Sequence, residues 1–503
     1  MARIALIKLF TGLNLAPAQL AGELVRAGHE PRIIYFKDHH IVDYDKYQEY
    51  EVTDYPGVFI AADGSKKVWN CYKPFSEKEY RLLIEDLTEF KPDAIGLSVI
   101  SGMIKEVEVV TAKLKEHFPV PFIWGGPGPT LEPERCIKSA DMICINEGEE
   151  VIVELANRLD VGVDLTDIAG TWVRKPDGSV VKNPDRPLLK LDSIAIPDWN
   201  LEHYAHINAF KGRRTNIYPN NLGKEYPIMT QRGCPFSCSF CIESRYQDMF
   251  GKKNSLRRRN SDVVLEELRW AKEHLDIKSI LFYDDVFTVN PRWLKEFLPR
   301  YKAEIGLPFW CYTYPTTHDP ELLRLLKDSG MISITMGVQS GSARILEQHF
   351  NRPTDTARVL EAAKEIVDLG PEVKGFFDLI TKVPFETEED LRATFNFMLA
   401  LPVEFKTMGF GEMTNFPTYD FTRQVEEQKM AASGGGGAVI ARQATPTQQD
   451  YDYYHKLYLL TRTNMPRDQV KAIAEDPKYR ANPELLDGLI NNDTYMSFTG
   501  ISF

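Results

Sequence analysis

Two successive runs of strand–helix alternation constrain this chain more than any other feature of its sequence. In the first run, up to about residue 155, short apolar stretches at Arg3–Phe10, Arg32–Phe36, Ala94–Val99, Pro121–Trp124 and Asp141–Ile145 read as strands. Amphipathic stretches over Pro17–Ala27 and Lys105–His117 read as helices between them. Parallel neighbours need a crossover long enough to hold a helix, so this alternation predicts a doubly wound parallel sheet. Residues 43–80 fit the pattern poorly and read as an insertion. Residues 156–224 are punctuated by Pro184, Pro187 and Pro197 and read as a connecting segment with short strands at Gly170–Arg174 and Val180–Lys182.

The second run begins near Tyr226. Its strand candidates are Pro227–Gln231, Ser279–Tyr283, Phe309–Thr313, Ile332–Gly337, Glu372–Ile380 and Phe405–Gly411. Helix candidates lie between them at Ser261–Glu273, Pro291–Ile305, Pro320–Ser329, Ala343–His349, Asp355–Leu369 and Glu388–Ala400, with Ser261 as a predicted N-cap. Such a series predicts a parallel barrel, complete or partial, whose reactive end is the C-terminal edge of its strands. Beyond it, Gly434–Gly437 reads as a flexible loop, Thr445–Thr463 as a tyrosine-rich helix and the tail as helical in pieces. The expected class is α/β. Residues 1–155 form a doubly wound, Rossmann-like sheet and 156–224 a linker. Residues 225–402 form a partial (β/α)6 barrel of TIM type, and 403–503 a mainly helical C-terminal domain that caps it. A chain of 503 residues has room for about three such domains.

Composition removes several function classes. The net charge of −12 argues against nonspecific nucleic-acid binding, which rests on Lys and Arg neutralising phosphates. A mean hydropathy of −0.31 and no apolar run of spanning length argue against a membrane span. Met1-Ala2-Arg3 precedes an apolar run with no small-residue cleavage site after it, so the run reads as a buried strand and the reducing cytoplasm is the expected compartment. The 7 cysteines are an odd number and do not suggest a secreted disulfide framework.

Three of them, Cys234, Cys238 and Cys241, fall in a CxxxCxxC run directly after the first strand of the second alternation, while Cys71, Cys136, Cys144 and Cys311 are isolated. Close thiolates on one loop suit an iron–sulfur cluster or zinc. Spacing alone leaves open three structural cysteines or a zinc site completed by a distant Cys or His. A four-iron cluster held by three thiolates keeps one iron open, which is what catalysis requires.

CxxxCxxC with aromatic Phe240 before the last cysteine, at the end of the first barrel strand, resembles the radical S-adenosylmethionine (SAM) superfamily over about Tyr226–Leu401. The resemblance implies a 4Fe–4S cluster on Cys234, Cys238 and Cys241. SAM would chelate the open iron, and its cleavage would give a 5′-deoxyadenosyl radical that abstracts a substrate hydrogen. It implies an external electron donor such as flavodoxin or ferredoxin. Asp284-Asp285, with Phe287-Thr288 after them, matches a segment common in that family, and Phe240, Asp285, Gln339 and Ser340 are the implied SAM-binding residues. Gln339 departs from the usual glutamate; it can hydrogen-bond SAM but cannot pair with its ammonium as an ion. Val383-Pro384-Phe385-Glu386-Thr387 lacks the glycines of the family's loop there. Arg257-Arg258-Arg259 reads as a solvated charge run or as a source of one ligand-binding guanidinium.

At the strand ends of the first domain lie Thr11-Gly12-Leu13-Asn14, Ser98-Val99-Ile100-Ser101-Gly102, Gly125-Gly126-Pro127-Gly128-Pro129-Thr130 and Glu147-Gly148-Glu149-Glu150. Ligands bind doubly wound sheets at such ends, and glycine permits close backbone approach. Together these loops resemble the cobalamin-binding domain that precedes the radical domain in one large radical SAM class. The implied cobalamin-binding residues are Thr11, Asn14, Ser98, Ser101, Gly102, Gly125, Gly126, Pro127, Thr130, Glu147 and Gly148. The Asp-x-His-x-x-Gly motif of corrinoid mutases is absent after the first strand, and Asp38-His39-His40 reads as surface polar. The resemblance therefore implies cobalamin without a histidine ligand from the protein.

The function expected is methylation of an unactivated carbon or phosphorus of a small-molecule substrate. Radical cyclisation or rearrangement without net methyl transfer is the alternative within the architecture. A non-catalytic corrinoid- or zinc-binding protein is the alternative outside it. The tyrosines of the 445–463 stretch read as ordinary helix packing.

Overall fold

The computed structural model describes residues 1–10, 15–37, 41–43, 58–60, 66–69, 74–208, 212–216, 224–352, 354–433 and 446–490. Thr11, Asn14, Asp38–His40 and Gly434–Gly437 lie outside them. The chain divides into two compact units, residues 1–223 and 224–503.

The first unit begins with β1 (Arg3–Leu9) and β2 (Glu30–Phe36), followed by a separate antiparallel sheet of β3 (Ile41–Asp43), β4 (Val58–Ile60) and β5 (Lys66–Trp69). Then come β6 (Ala94–Ser98), β7 (Phe122–Gly125), β8 (Met142–Cys144), β9 (Thr171–Arg174), β10 (Val180–Lys182), β11 (Tyr204–Asn208) and β12 (Gly212–Thr215). The main sheet runs β10-β9-β8-β7-β6-β1-β2-β11-β12. Pairing is parallel from β8 through β11 and antiparallel at both edges. The stretch expected as a linker thus supplies the two outermost strands at each end of the sheet, β9 and β10 at one and β11 and β12 at the other. Short antiparallel edge strands carry weak apolar alternation, as β10 with its exposed Val180 and Lys182 illustrates.

Strand alternation sends Ile4 and Leu6 to one face and Ala5, Ile7 and Leu9 to the other. The first face packs on helices 16–26 and 149–161 through Ala21, Leu24, Val151 and Leu155; the second on helices 77–90 and 104–115 through Leu83, Leu87, Val107 and Val110. Each such fully buried Leu, Ile or Val contributes roughly 1.5–3 kcal/mol. Helix 77–90 begins inside the presumed insertion, and its start is written in a capping box of Ser76 and Glu79. The sheet winds outward from β1 in both directions, so the crevice between β1 and β6 is the topological switch point.

The second unit contains β13 (Glu225–Ile228), the two-residue pair β14 (Gln231–Arg232) and β15 (Arg257–Arg258), then β16 (Ser279–Phe282), β17 (Phe309–Thr313), β18 (Met331–Gln339), β19 (Lys374–Thr381) and β20 (Lys406–Glu412). The sheet order β13-β16-β17-β18-β19-β20 follows the sequence, and every pairing is parallel. Its last strand comes from beyond residue 402. Helix 261–274, which leads into β16, is capped by Asn260, whose side chain accepts from the Asp262 N–H; the expected cap Ser261 is already helical. After β20 the chain is helical through 420–433, 448–460, 467–475 and 477–481. Helix 448–460 is fixed to helix 388–400 by the Tyr458 hydroxyl, which donates to the Leu391 carbonyl at 2.9 Å. Arg462 is fully buried and donates to the carbonyls of Met398, Pro402 and Phe405, covering groups that a helix end leaves unpaired.

Candidate functional site

The cysteine loop leaves the end of β13 through Gly233, whose φ of 89° suits glycine. A Cβ there would stand 2.4 Å from the Ser255 carbonyl oxygen. The loop turns tightly, with the Cys241 N–H donating to the Cys238 carbonyl at 3.0 Å, and helix 242–250 starts immediately after Cys241. Gln247 of that helix reaches back to the carbonyls of Cys234 and Phe236. The Ser239 N–H donates to the Phe350 carbonyl at 3.0 Å, and the Asn351 amide donates to the Ser237 carbonyl at 2.7 Å. Phe236 stacks on Tyr314 at 3.7 Å and Phe240 meets Phe350 edge-on at 4.7 Å. The backbone is thus held from two directions.

Burial pushes the Cys234 thiol up to about 12, and the neighbouring Asp285, Cys238 and Glu243 add to this; burial raises Cys241 as well. Thiols so placed ionise only beside a strong cationic charge, which a bound iron–sulfur cluster supplies. Arg352, absent from the sequence expectations, is 6% exposed and directs a guanidinium nitrogen to the Cys238 Sγ at 3.6 Å. It also donates to the Gly337 carbonyl and lies over the Tyr314 ring at 4.0 Å.

The two adjacent aspartates divide their work. Asp284 is fully buried and accepts from the N–H groups of Thr230 and Gln231 at 2.6 and 3.0 Å, fastening β16 to the start of the cysteine loop. Asp285 is open to solvent, yet enough protein surrounds it that burial, with Asp284 second, raises its carboxyl to about 6. Glu243 stands beside it, buried, raised to about 8 by burial and then by Asp285, and one of its oxygens has no hydrogen-bond partner. Sequence reasoning missed Glu243, although it lies only two residues after Cys241.

Gln339 occupies a left-handed backbone position, φ 71°, where β18 slips register against β19. Its amide lies so close to Gly337 that a Cβ there would meet it at 2.9 Å. Ser340 is buried, and its hydroxyl accepts from the Ser342 N–H at 3.1 Å, so it shapes the turn. Arg259 of the arginine run is not solvated: it is buried and paired with the Glu267 carboxylate, to which Tyr226 also donates. Arg258 donates to Thr230, Gln231 and Phe287 and lies over the Trp293 ring.

In the first unit the ends of β6, β7 and β8 converge. The Val99 N–H donates to the Gly125 carbonyl at 2.8 Å, and the Gly128 N–H to the Val99 carbonyl at 2.9 Å. Gly126 has φ 104°, and a Cβ on it would stand 2.9 Å from the Val99 oxygen, so no other residue fits this crossing. Thr130 is buried and acts as a strut: its hydroxyl donates to the Gly126 carbonyl and accepts from the Asn146 N–H, both at 2.9 Å. Glu147 accepts from the Leu189 N–H at 2.8 Å. Ser98, Ser101, Gly125, Pro127 and Gly148 are half-buried and Gly102 is exposed, so these line the accessible rim. The rim consists of backbone and small side chains, which suits close approach by a large ligand.

Residues 228–398 match the Radical SAM superfamily, and residues 73–156 match the B12 binding domain. An uncharacterized methyltransferase of Pyrococcus horikoshii is 29% identical over 339 residues, 64% of this chain and 69% of its own. The cytidylyl-2-hydroxyethylphosphonate methyltransferase of Streptomyces wedmorensis is 26% identical over 357 residues, 63% of each chain, so this chain spans less than two thirds of that relative. The cobalamin-dependent S-adenosylmethionine radical enzyme OxsB, solved with aqua-cobalamin and S-adenosylmethionine bound, shares the fold with a TM-score of 0.64. It is 14% identical, covering 96% of this chain and 71% of that one. No helix among the described residues is long and apolar enough to cross a membrane.

Proposed function

We propose that this chain, a radical SAM enzyme that carries a B12-binding domain, methylates an unactivated carbon or a phosphorus of a small-molecule substrate. The pairing of these two domains in one chain carries the reading, and methyltransferases among its relatives support it. When bound, the reduced 4Fe–4S cluster supplies the electron that cleaves SAM, and cobalamin supplies a transferable methyl group.

The chain's own residues serve this chemistry by binding, orienting and enclosing. Cys234, Cys238 and Cys241 hold the cluster on a loop whose backbone is already fastened. Asp285 and Glu243 would offer carboxylates to the cationic amino group of SAM, and Gln339 would add a neutral hydrogen-bonding amide. Phe240 packs at the loop's apolar side, and Ser340 shapes the adjacent turn. Ser98, Ser101, Gly102, Gly125, Gly126, Pro127 and Gly148 form the rim for the corrin, with Thr130 and Glu147 as struts; Thr11 and Asn14 belong to the same proposal. We read the sequential six-stranded sheet as an open (β/α)6 barrel whose C-terminal edge encloses the reacting groups. Electrons come from an external donor such as flavodoxin or ferredoxin in a reducing cytoplasm.

The test is product analysis with anaerobically reconstituted enzyme and a candidate substrate. Methyl transfer gives S-adenosylhomocysteine together with 5′-deoxyadenosine. Turnover that yields 5′-deoxyadenosine and altered substrate without S-adenosylhomocysteine would replace methylation by cyclisation or rearrangement.

A further inference from the structure

We infer that Lys8 binds the phosphodiester in the nucleotide tail of cobalamin, an inference that rests on reading the first unit as cobalamin-binding. Lys8 follows Ile4 and Leu6 on one face of β1, the face packed against helices 16–26 and 149–161. Those two residues pack into the core, yet Lys8 carries an ammonium into the same layer. The residue is 8% exposed, its ammonium keeps some contact with solvent, and among the described residues it makes no hydrogen bond and no ion pair. No carboxylate acts on it: its pKa is lowered, and burial is the cause. A buried charge without a partner is costly, so it marks a place where an anion belongs.

The surroundings indicate which anion. In register with Lys8 stand Tyr35 on β2 and Ser98 on β6, and Ser98 in turn pairs with Gly125 on β7. Paired residues of parallel strands point to one side, so Tyr35, Lys8, Ser98 and Gly125 form a row across the C-terminal ends of four strands. Two of the four are small. A Cβ added at Gly125 would meet nothing nearer than the Cys144 Cβ at 3.8 Å, so the row has free volume over its glycine end. Leu20 and Gly148, whose added Cβ would lie 3.4 Å from the Leu20 side chain, close the helical side. This row places one cation among small residues at the strand ends beside the switch point and the rim. Cobalamin has amide side chains around its corrin and one fixed anionic group, the phosphodiester of its tail. A tail bound along this row brings that anion to the ammonium, and loss of a charge-assisted contact of this kind reads as a roughly ten- to hundredfold loss in affinity.

The experiment compares two corrinoids on the full-length apoprotein. Hydroxocobalamin carries the phosphodiester; diaquacobinamide lacks the phosphate, ribose and base. Binding is followed by equilibrium dialysis with the corrinoid absorbance as readout, for the wild type and Lys8→Met. The expected result is that Lys8→Met binds hydroxocobalamin at least tenfold more weakly while its cobinamide affinity is unchanged. In the absence of corrinoid the variant should melt no lower than the wild type, because an unpaired buried charge has been removed. Unchanged hydroxocobalamin affinity overturns the inference, and so does an equal loss for both corrinoids or a lower melting temperature with proportionate loss. A wild type that binds neither corrinoid overturns the underlying reading along with it.

Discussion

Arg352 places a guanidinium nitrogen 3.6 Å from the Cys238 sulfur inside a nearly closed environment, where charge acts strongly. Its orientation is not accidental. The Tyr314 ring lies beneath it, Tyr314 is itself stacked on Phe236, and the Tyr314 hydroxyl is tied to Thr354 at 2.7 Å. Hydrogen bonds and charge near a ligating sulfur tune a cluster's potential, and a positive charge favours the state with the added electron. Replacing Arg352 by Met should therefore shift the midpoint of the reconstituted cluster to more negative potential, with Lys giving a smaller shift. Redox titration monitored by electron paramagnetic resonance checks this, with iron and sulfide assays showing equal loading. An unchanged potential at full loading would reduce Arg352 to a brace between the cysteine loop and β18. Nothing in the sequence marks this arginine, because it lies 111 positions beyond Cys241 and reaches the loop only through the fold.

At the scale of elements, the alternation was readable because apolar runs bury both faces of a parallel strand and leave long continuous signals, as Phe309–Thr313 does. The buried strand β11 and the edge strand β12 carry His206, Arg213 and Arg214 and give no such continuous signal. The cysteine loop was legible because its spacing is itself the chemistry, whereas Glu243 and Arg352 depend on neighbours that only tertiary packing supplies. The loop after β19 shows a further consequence of packing. Glu386 is buried, its carboxyl accepts from the Val383 N–H at 2.9 Å, and burial, the largest influence, pushes its pKa up to about 8. Because the folded-state value lies above the ordinary carboxyl value of 4.5, the folded protein holds this proton more tightly than the unfolded chain does. The stability it contributes is fully present below about pH 4.5 and is lost as pH rises toward 8. Denaturant unfolding of the apoprotein across pH 5 to 8 should show a decline that Glu386→Gln flattens, by about 1–4 kcal/mol over the window. A slope identical in the variant would show that the carboxyl is already ionised at pH 5.

Over the whole chain, the two domain matches fall in different units, the radical SAM match with the cysteine loop in residues 224–503 and the B12-binding match with the strand-end rim in residues 1–223. The net charge of −12 adds nothing to this division. If the units bear separable steps, withholding one cofactor should remove one product only. Enzyme reconstituted with iron and sulfide but kept free of corrinoid should still cleave SAM reductively, releasing 5′-deoxyadenosine and methionine. The same preparation should form no S-adenosylhomocysteine and no methylated substrate until cobalamin is added. Chromatography of the nucleoside products with and without cobalamin measures both at once. Formation of S-adenosylhomocysteine in the corrinoid-free enzyme would mean that the methyl passes directly from SAM, and the first unit would then need another purpose. Loss of 5′-deoxyadenosine as well would mean that the cysteine loop closes on SAM only when the corrin site is filled, because the two units would then act as one.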